Sequence, residues 1–192
     1  MEEQKPIRSF LAIDLSPAVR DRIGGIQMRL RLTLKGVRWV RPEGIHLTLR
    51  FFGDIYGKDI RAIDGAVRER AGSAVPLRFR AGGLGAFPNP DRARVLWIGL
   101  EGDVEPLALL RQDLDRSLEI IGFPGERRPF KPHLTLGRAR GDRILGVRES
   151  LRKGELYQAG DFEASSLVLF RSELAPGGAV YTKMAEFPFQ TS

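Results

Sequence analysis

Apolar positions recur along this chain in two rhythms, a strand rhythm and a helical one, and their alternation predicts the order of elements. Residues 7–14, IRSFLAID, form a compact apolar run of strand type. Ser16-Pro17 then supplies an N-cap followed by proline at the first helical position. Val19, Ile23, Ile26 and Leu30 continue at helical spacing, interrupted by Gly24-Gly25, which weakens the helix and marks a close packing point. VRWV and GIHLTLRFFGD read as strands, and Ile60, Ile63 and Val67 trace a second amphipathic helix that ends near Gly72.

The second half repeats the alternation. LRFRAGGLGAF and ARVLWIGLE predict a strand pair around the turn-rich PNPDR. Leu107, Leu110, Leu114, Leu118 and Ile121 form one stripe of a third helix, with Gly122 as its stop. KPHLTLGRARGD supplies another strand, a shorter helical stretch covers 144–151, and FEASSLVLFRSEL with AVYTKMAEFPF predicts a closing hairpin around APGG. No segment has the composition of a flexible linker. The mixture predicts an α+β fold, and one HLTL strand in each half predicts an internal duplication, with two similar lobes facing each other.

Composition narrows the class. At 192 residues the chain is long enough for a sizeable core, and its hydrophobic share of 42% and charged share of 29% are those of a globular protein. It has no cysteine, which removes disulfides, thiolate nucleophiles and thiolate metal sites, and agrees with an intracellular, cytoplasmic setting. The N-terminus lacks the basic n-region and long apolar stretch of a signal peptide, and no apolar run approaches a membrane span. The net charge of +7, most of it from arginine, leans toward a polyanionic partner, although a solvated basic surface accounts for it equally well.

The chemistry lies in the repeated tetrapeptide. The chain has two histidines, and both head an HLTL sequence, at His46 and at His133. In an extended strand His46 and Thr48 share one face and His133 and Thr135 repeat the arrangement, with the leucines of each motif on the opposite, core face. One such strand is ordinary; two identical contexts, one per half, are not. A catalytic zinc site is poorly served, since no third histidine or cysteine exists and no carboxylate falls on the His-Thr faces. A nucleophilic triad needs an orienting carboxylate and lacks the symmetry of this repeat. General acid-base catalysis fits better: one imidazole neutral as base, the other protonated as acid, driving an in-line displacement at phosphorus. The threonine hydroxyls would then donate to non-bridging oxygens, and Arg138, five residues after His133 and near the predicted strand end, would neutralise charge there.

Two H-x-T-x motifs, one per half, resemble the two-histidine phosphoesterase superfamily. RSFLAIDLS, GIHLTLRFFGDI, GLGAFPNPDRARVLWIGL and FKPHLTLGRAR, in that order along nearly the whole chain, resemble its RNA 2′,3′-cyclic phosphodiesterase branch, also called the 2′-5′ RNA ligase family. The resemblance implies a single domain over 1–192 made of two interleaved lobes, with two antiparallel sheets lining a central cleft and helices outside. It implies hydrolysis of a ribose 2′,3′-cyclic phosphate to a 2′-phosphate without metal or other cofactor, with His46 as proton donor to the leaving 3′-oxygen and His133 as proton acceptor for water. Thr48, Thr135 and Arg138 would bind phosphate. Arg50 stands where lysine is frequent and Phe52 where leucine is frequent, and Arg94 falls at a frequent arginine of the family.

The expected partner is RNA with 2′,3′-cyclic phosphate ends, tRNA fragments among them, handled by a monomer away from membranes. The same histidines would support ATP-independent 2′-5′ ligation if a 5′-hydroxyl replaced water. Two other readings stand beside this one: a related phosphodiesterase for small cyclic nucleotides or ADP-ribose cyclic phosphate, and a non-catalytic RNA-binding module.

Overall fold

The computed structural model describes residues 5–126, 129–153, 157–175 and 178–190 of the chain. The first strand, β1 (Ile7–Ile13), leads into α1 (Pro17–Arg31), whose N-cap Ser16 accepts from the Val19 N–H. The helix runs through Gly24-Gly25, and a Cβ on Gly24 would make only ordinary contact with Pro42, so the expected close approach there is mild. Next come β2 (Val37–Trp39), β3 (Leu47–Ile55), α2 (Gly57–Ala71), β4 (Leu77–Phe87) and β5 (Val95–Gly102). The second half continues with α3 (Val104–Ile120), β6 (Leu134–Ala139), α4 (Val147–Arg152), β7 (Gln158–Ala164), β8 (Ser166–Ala175) and β9 (Gly178–Pro188).

Among the described residues nine strands form one antiparallel system in the order β7-β4-β5-β6-β3-β1-β8-β9, with β2 on β6. The two central strands, β6 and β3, meet at a single register pair, Leu47↔Leu134, so two antiparallel sheets are joined at one point. The predicted run FEASSLVLFRSEL is not one strand. It breaks at Ser165, where the chain leaves the half built on β4 and enters the half built on β1. The closing hairpin is β8–β9; the centre of its predicted turn, Pro176-Gly177, lies outside the described residues.

The helices cover one face and leave the other as a cleft. Val19, Ile23, Ile26 and Leu30 of α1 are fully buried, as are Leu107, Leu114 and Leu118 of α3. Each of these helices also reaches across to the other half of the sheet. α1, which follows β1, packs on β7, and its buried Gln27 donates to the carbonyl of Leu136 in β6 at 2.9 Å. From α3, which follows β5, Arg111 donates to the carbonyl of Leu49 in β3 at 3.0 Å. The halves are therefore interleaved through their helices as well as joined through their strands. No helix among the described residues is long and apolar enough to cross a membrane.

Candidate active site

His46 and His133 are delivered by loops that end just before β3 and β6. A turn of 3-10 helix at Pro42–Gly44 precedes His46, and Lys131-Pro132 precedes His133. The Nδ1–H of His46 donates to the Gly44 carbonyl at 3.1 Å, and that of His133 to the Lys131 carbonyl at 2.6 Å. Each acceptor lies two residues upstream of its histidine. A carbonyl can only accept, so both neutral rings are held with the proton on Nδ1 and the Nε2 lone pair free for proton transfer.

The Leu47↔Leu134 pair is the centre of the constellation. One step outward along that antiparallel register, His46 lies across from Thr135 and His133 lies across from Thr48. At about 3.4 Å of rise per residue, the histidine and threonine of one motif are about 7 Å apart along their strand. The leucines of both motifs are buried, while the threonines are half-exposed and line the cleft. Thr48, Thr135 and Arg138 border a cavity of about 510 Å³ with His46. A second cavity, of about 570 Å³, brings both histidines together with the same three residues. The structure thus gathers all five sequence-predicted site residues in one place.

Arg138 reaches the cleft by an irregularity in the sheet. By strict alternation it would lie with Leu134 and Leu136 on the core face. The β5–β6 register instead jumps from Trp97↔Thr135 to Leu96↔Gly137, skipping Leu136. The bulge restores Arg138 to the face of Thr135, inside β6 rather than beyond its end. The first motif does the same: Ala12↔Thr48 is followed by Leu11↔Arg50, skipping Leu49. There the exposed Phe51 enters the cleft and Arg50 turns inward, where it is buried and holds Asp115 at 2.5 Å and the Phe123 carbonyl at 2.9 Å. Arg50 is thus a structural residue. Arg94, likewise, meets the sheet through its backbone and lines neither cavity.

The two imidazoles have different surroundings. His46 is buried among Phe170, Tyr181 and Phe10, with ring centroids 4.4, 5.4 and 5.8 Å away. Its Nε2 lies 3.7 Å from Oδ1 of Asp14. Burial pushes the His46 pKa down to about 4, against the raising influence of Asp14, with the positive charges of Arg20 and Lys183 adding to the depression. Burial also lowers His133, and the nearby Arg138 adds to that lowering. Both rings are therefore neutral at pH 7 before an anion arrives. Asp14 is anchored by Lys183, 2.7 Å away, and by Arg20. Burial works against its charge, but these two cations outweigh it and hold the carboxyl below its usual range.

Sequence reasoning missed Asp14, because it searched only the His-Thr faces of the two motifs. Asp14 closes the apolar run of β1, beside β3, and a carboxylate ending such a run was the available signal. Among the described residues no group of three or more His, Asp or Glu converges as a metal site would require.

The LigT like phosphoesterase family matches the chain twice, over residues 13–97 and 98–181, with one histidine motif in each match. The RNA 2′,3′-cyclic phosphodiesterase of Methanothermobacter thermautotrophicus is 39% identical over 185 residues, spanning 94% of this chain and 98% of that one. A crystal structure from Thermus thermophilus superposes with a TM-score of 0.79 at 29% identity, covering 96% of this chain and 98% of that one. The crystal structure of Escherichia coli LigT complexed with 3′-AMP has the same fold, with a TM-score of 0.79, 22% identity and coverage of 97% and 99%.

Proposed function

Since this chain belongs to the LigT like phosphoesterase family, we propose that it opens the 2′,3′-cyclic phosphate at the 3′ end of RNA, leaving a 2′-phosphate, by acid-base catalysis between His46 and His133. We read the chain as one domain of two interleaved lobes, each supplying one motif. The observation that carries the proposal is the exchange of partners about Leu47↔Leu134, which sets each histidine opposite the other motif's threonine. A phosphate held between the two strands meets an imidazole on either side and a hydroxyl beside each.

In this scheme Nε2 of His133 takes a proton from water as its oxygen attacks phosphorus. The bond from phosphorus to the 3′-oxygen breaks on the opposite side, and Nε2 of His46 gives that oxygen its proton. Thr48, Thr135 and Arg138 donate to the non-bridging oxygens, where negative charge builds. Burial keeps His46 neutral in the free protein, and the Asp14 carboxylate beside it works in the opposite sense, toward the imidazolium, while a guanidinium near His133 favours the neutral base. The anionic substrate adds to Asp14 and raises His46 toward the protonated form that the acid role needs. Phe51 and Phe87, which line the cavity holding both histidines, offer apolar surface to the terminal nucleoside. A 5′-hydroxyl in place of water would give ATP-independent 2′-5′ ligation with the same proton transfers.

The test is incubation with an oligoribonucleotide ending in 2′,3′-cyclic phosphate, with EDTA present. The expected product is the 2′-phosphate, and His46→Ala or His133→Ala should each lower the rate by about 10²–10⁴-fold. Full activity in both variants, a 3′-phosphate product, or abolition by EDTA would refute the scheme.

A further inference from the structure

A groove leaves the cleft beside β2, and arginines dominate its wall. It encloses about 600 Å³ and is walled by Arg38, Arg41, Arg138 and Arg140 on one bank and by Tyr181 of the β8–β9 hairpin on the other. It shares Arg38, Arg138 and Tyr181 with the cavity holding His46, Thr48 and Thr135, so the two are continuous. Among the described residues no aspartate or glutamate lines it.

Some exposed arginines elsewhere sit against carboxylates: Arg68 with Asp64, Arg78 with Glu163, Arg80 with Asp161 and Arg148 with Asp91. Among the described residues none of the four groove arginines makes such an ion pair, and Arg140 donates only to the Val37 carbonyl. What distinguishes the groove is convergence: it gathers four guanidiniums without such a carboxylate partner along one continuous wall.

The placement of Arg38 is the sharpest sign. In the β2–β6 register Arg38 lies directly opposite Arg138. Like charges directly across a strand pair destabilise it. The contact is nevertheless built in: a Cβ on Gly137 would fall 2.5 Å from Val37 Cγ1 and 3.2 Å from the Arg38 carbonyl, so glycine there is what lets β2 lie against β6. Val37 points into the core, and Arg38 is exposed toward the cleft. Two juxtaposed guanidinium forks make a stable pair once an anion lies between them, and phosphate is the anion whose geometry they match.

We propose that this groove binds the phosphodiester backbone of single-stranded RNA on the 5′ side of the cyclic end, with Arg38, Arg41 and Arg140 contacting upstream phosphates. The inference rests on the function proposed above and extends it from the terminal nucleotide to the strand behind it. A cyclic phosphate occupies the 3′ end, so only the 5′-ward chain must leave the cleft. The branch with uncompensated cations carries the polyanion, while the branch lined by Phe51, Phe87 and Phe130 remains for the terminal nucleoside.

The test compares a cyclic mononucleotide with a single-stranded oligoribonucleotide of several residues ending in 2′,3′-cyclic phosphate, measuring KM and kcat over a range of salt concentrations. Wild-type protein should prefer the oligomer at least tenfold in kcat/KM, mostly through KM. The oligomer's affinity should fall with salt by about 0.7 log units per log unit of salt for each additional phosphate contacted. In Arg41→Gln/Arg140→Gln the ratio of oligomer to mononucleotide kcat/KM should approach one, and the extra salt dependence should shrink. Mononucleotide turnover in the same preparation reports whether the variant is folded. Equal use of the two substrates by wild type, or an undiminished oligomer preference in the variant, overturns the groove assignment and leaves the phosphodiesterase reading standing. Turnover of neither substrate by wild type defeats that reading itself.

Discussion

Leu49 and Leu136, the final residues of the two HLTL motifs, are both skipped in the register with the strand beside them, and the carbonyl of each accepts a hydrogen bond from a buried helix side chain. Gln27 serves Leu136 and Arg111 serves Leu49. Each bulge decides which side chain joins the threonine of its own strand in the cleft: Phe51 in one half, Arg138 in the other. The duplication is thus symmetric up to the bulge and asymmetric after it, which turns two equivalent strands into a site with distinct sides.

Removing either helix donor should loosen its motif. Gln27→Leu removes two hydrogen bonds: the Val40 carbonyl loses its donor at 2.7 Å, and the Leu136 carbonyl keeps only the Val40 N–H at 2.9 Å. A loss of about 1–3 kcal/mol is expected in urea unfolding, as for other buried acceptors left unpaired. Arg111→Met should cost at least as much, because Arg111 also lies 3.6 Å from Asp115, the carboxylate that holds the buried Arg50. Unchanged unfolding midpoints in both variants would show that water replaces the donors.

Asp14 offers a test of which histidine is the acid. Its carboxylate raises the His46 pKa against burial, so Asp14→Asn should let that pKa fall further. If His46 must be protonated to act, the alkaline limb of the kcat/KM profile moves to lower pH and activity near neutrality drops. If His46 were the base, the acid limb would move instead and activity at low pH would rise. A uniform loss with both limbs in place would mean that Asp14 only supports structure.

The paired motifs and the order of elements were legible because alternation and helical spacing act within one segment. Leu47 and Leu134 could be placed in the core, and the threonines on the opposite face, from period two alone. The bulges at Leu49 and Leu136 were not legible, because a skipped residue depends on the neighbouring strand and leaves no local mark; hence Arg138 was expected near the strand end. Asp14 and Arg38 escaped for a related reason. Each is brought to the cleft by strand pairing across long sequence separations, Asp14 by β1 against β3 and Arg38 by β2 against β6. The break at Ser165 depends on which half of the sheet accepts each strand, and the serine pair at 165–166 does not by itself reveal it.

The two threonines should be separable from the histidines by what they do to rate. Thr48→Val or Thr135→Val keeps shape and strand propensity but removes the hydroxyl, and each should lower kcat by about 10²–10³-fold, as for other donors to a developing oxyanion. Serine at the same positions should restore much of the rate. A valine variant with altered KM and unchanged kcat would place the hydroxyl in ground-state binding only.

The burial of His46 predicts a link between stability and acidity. Its pKa in the folded protein is about 4, against 6.5 for a free imidazole, so between these values the unfolded chain binds a proton that the folded one refuses. The favourable contribution of a neutral His46 is therefore complete above pH 6.5 and is lost as pH falls through about 4. The difference is roughly 3 kcal/mol at full effect. Unfolding midpoints of the wild type should fall across this window more steeply than those of His46→Gln, whose neutral side chain does not titrate. Phosphate or a cyclic mononucleotide in the cleft should flatten the wild-type slope, since an anion beside the ring favours the imidazolium in the folded state. Parallel slopes for wild type and His46→Gln would show that the ring is more hydrated than its aromatic surroundings imply.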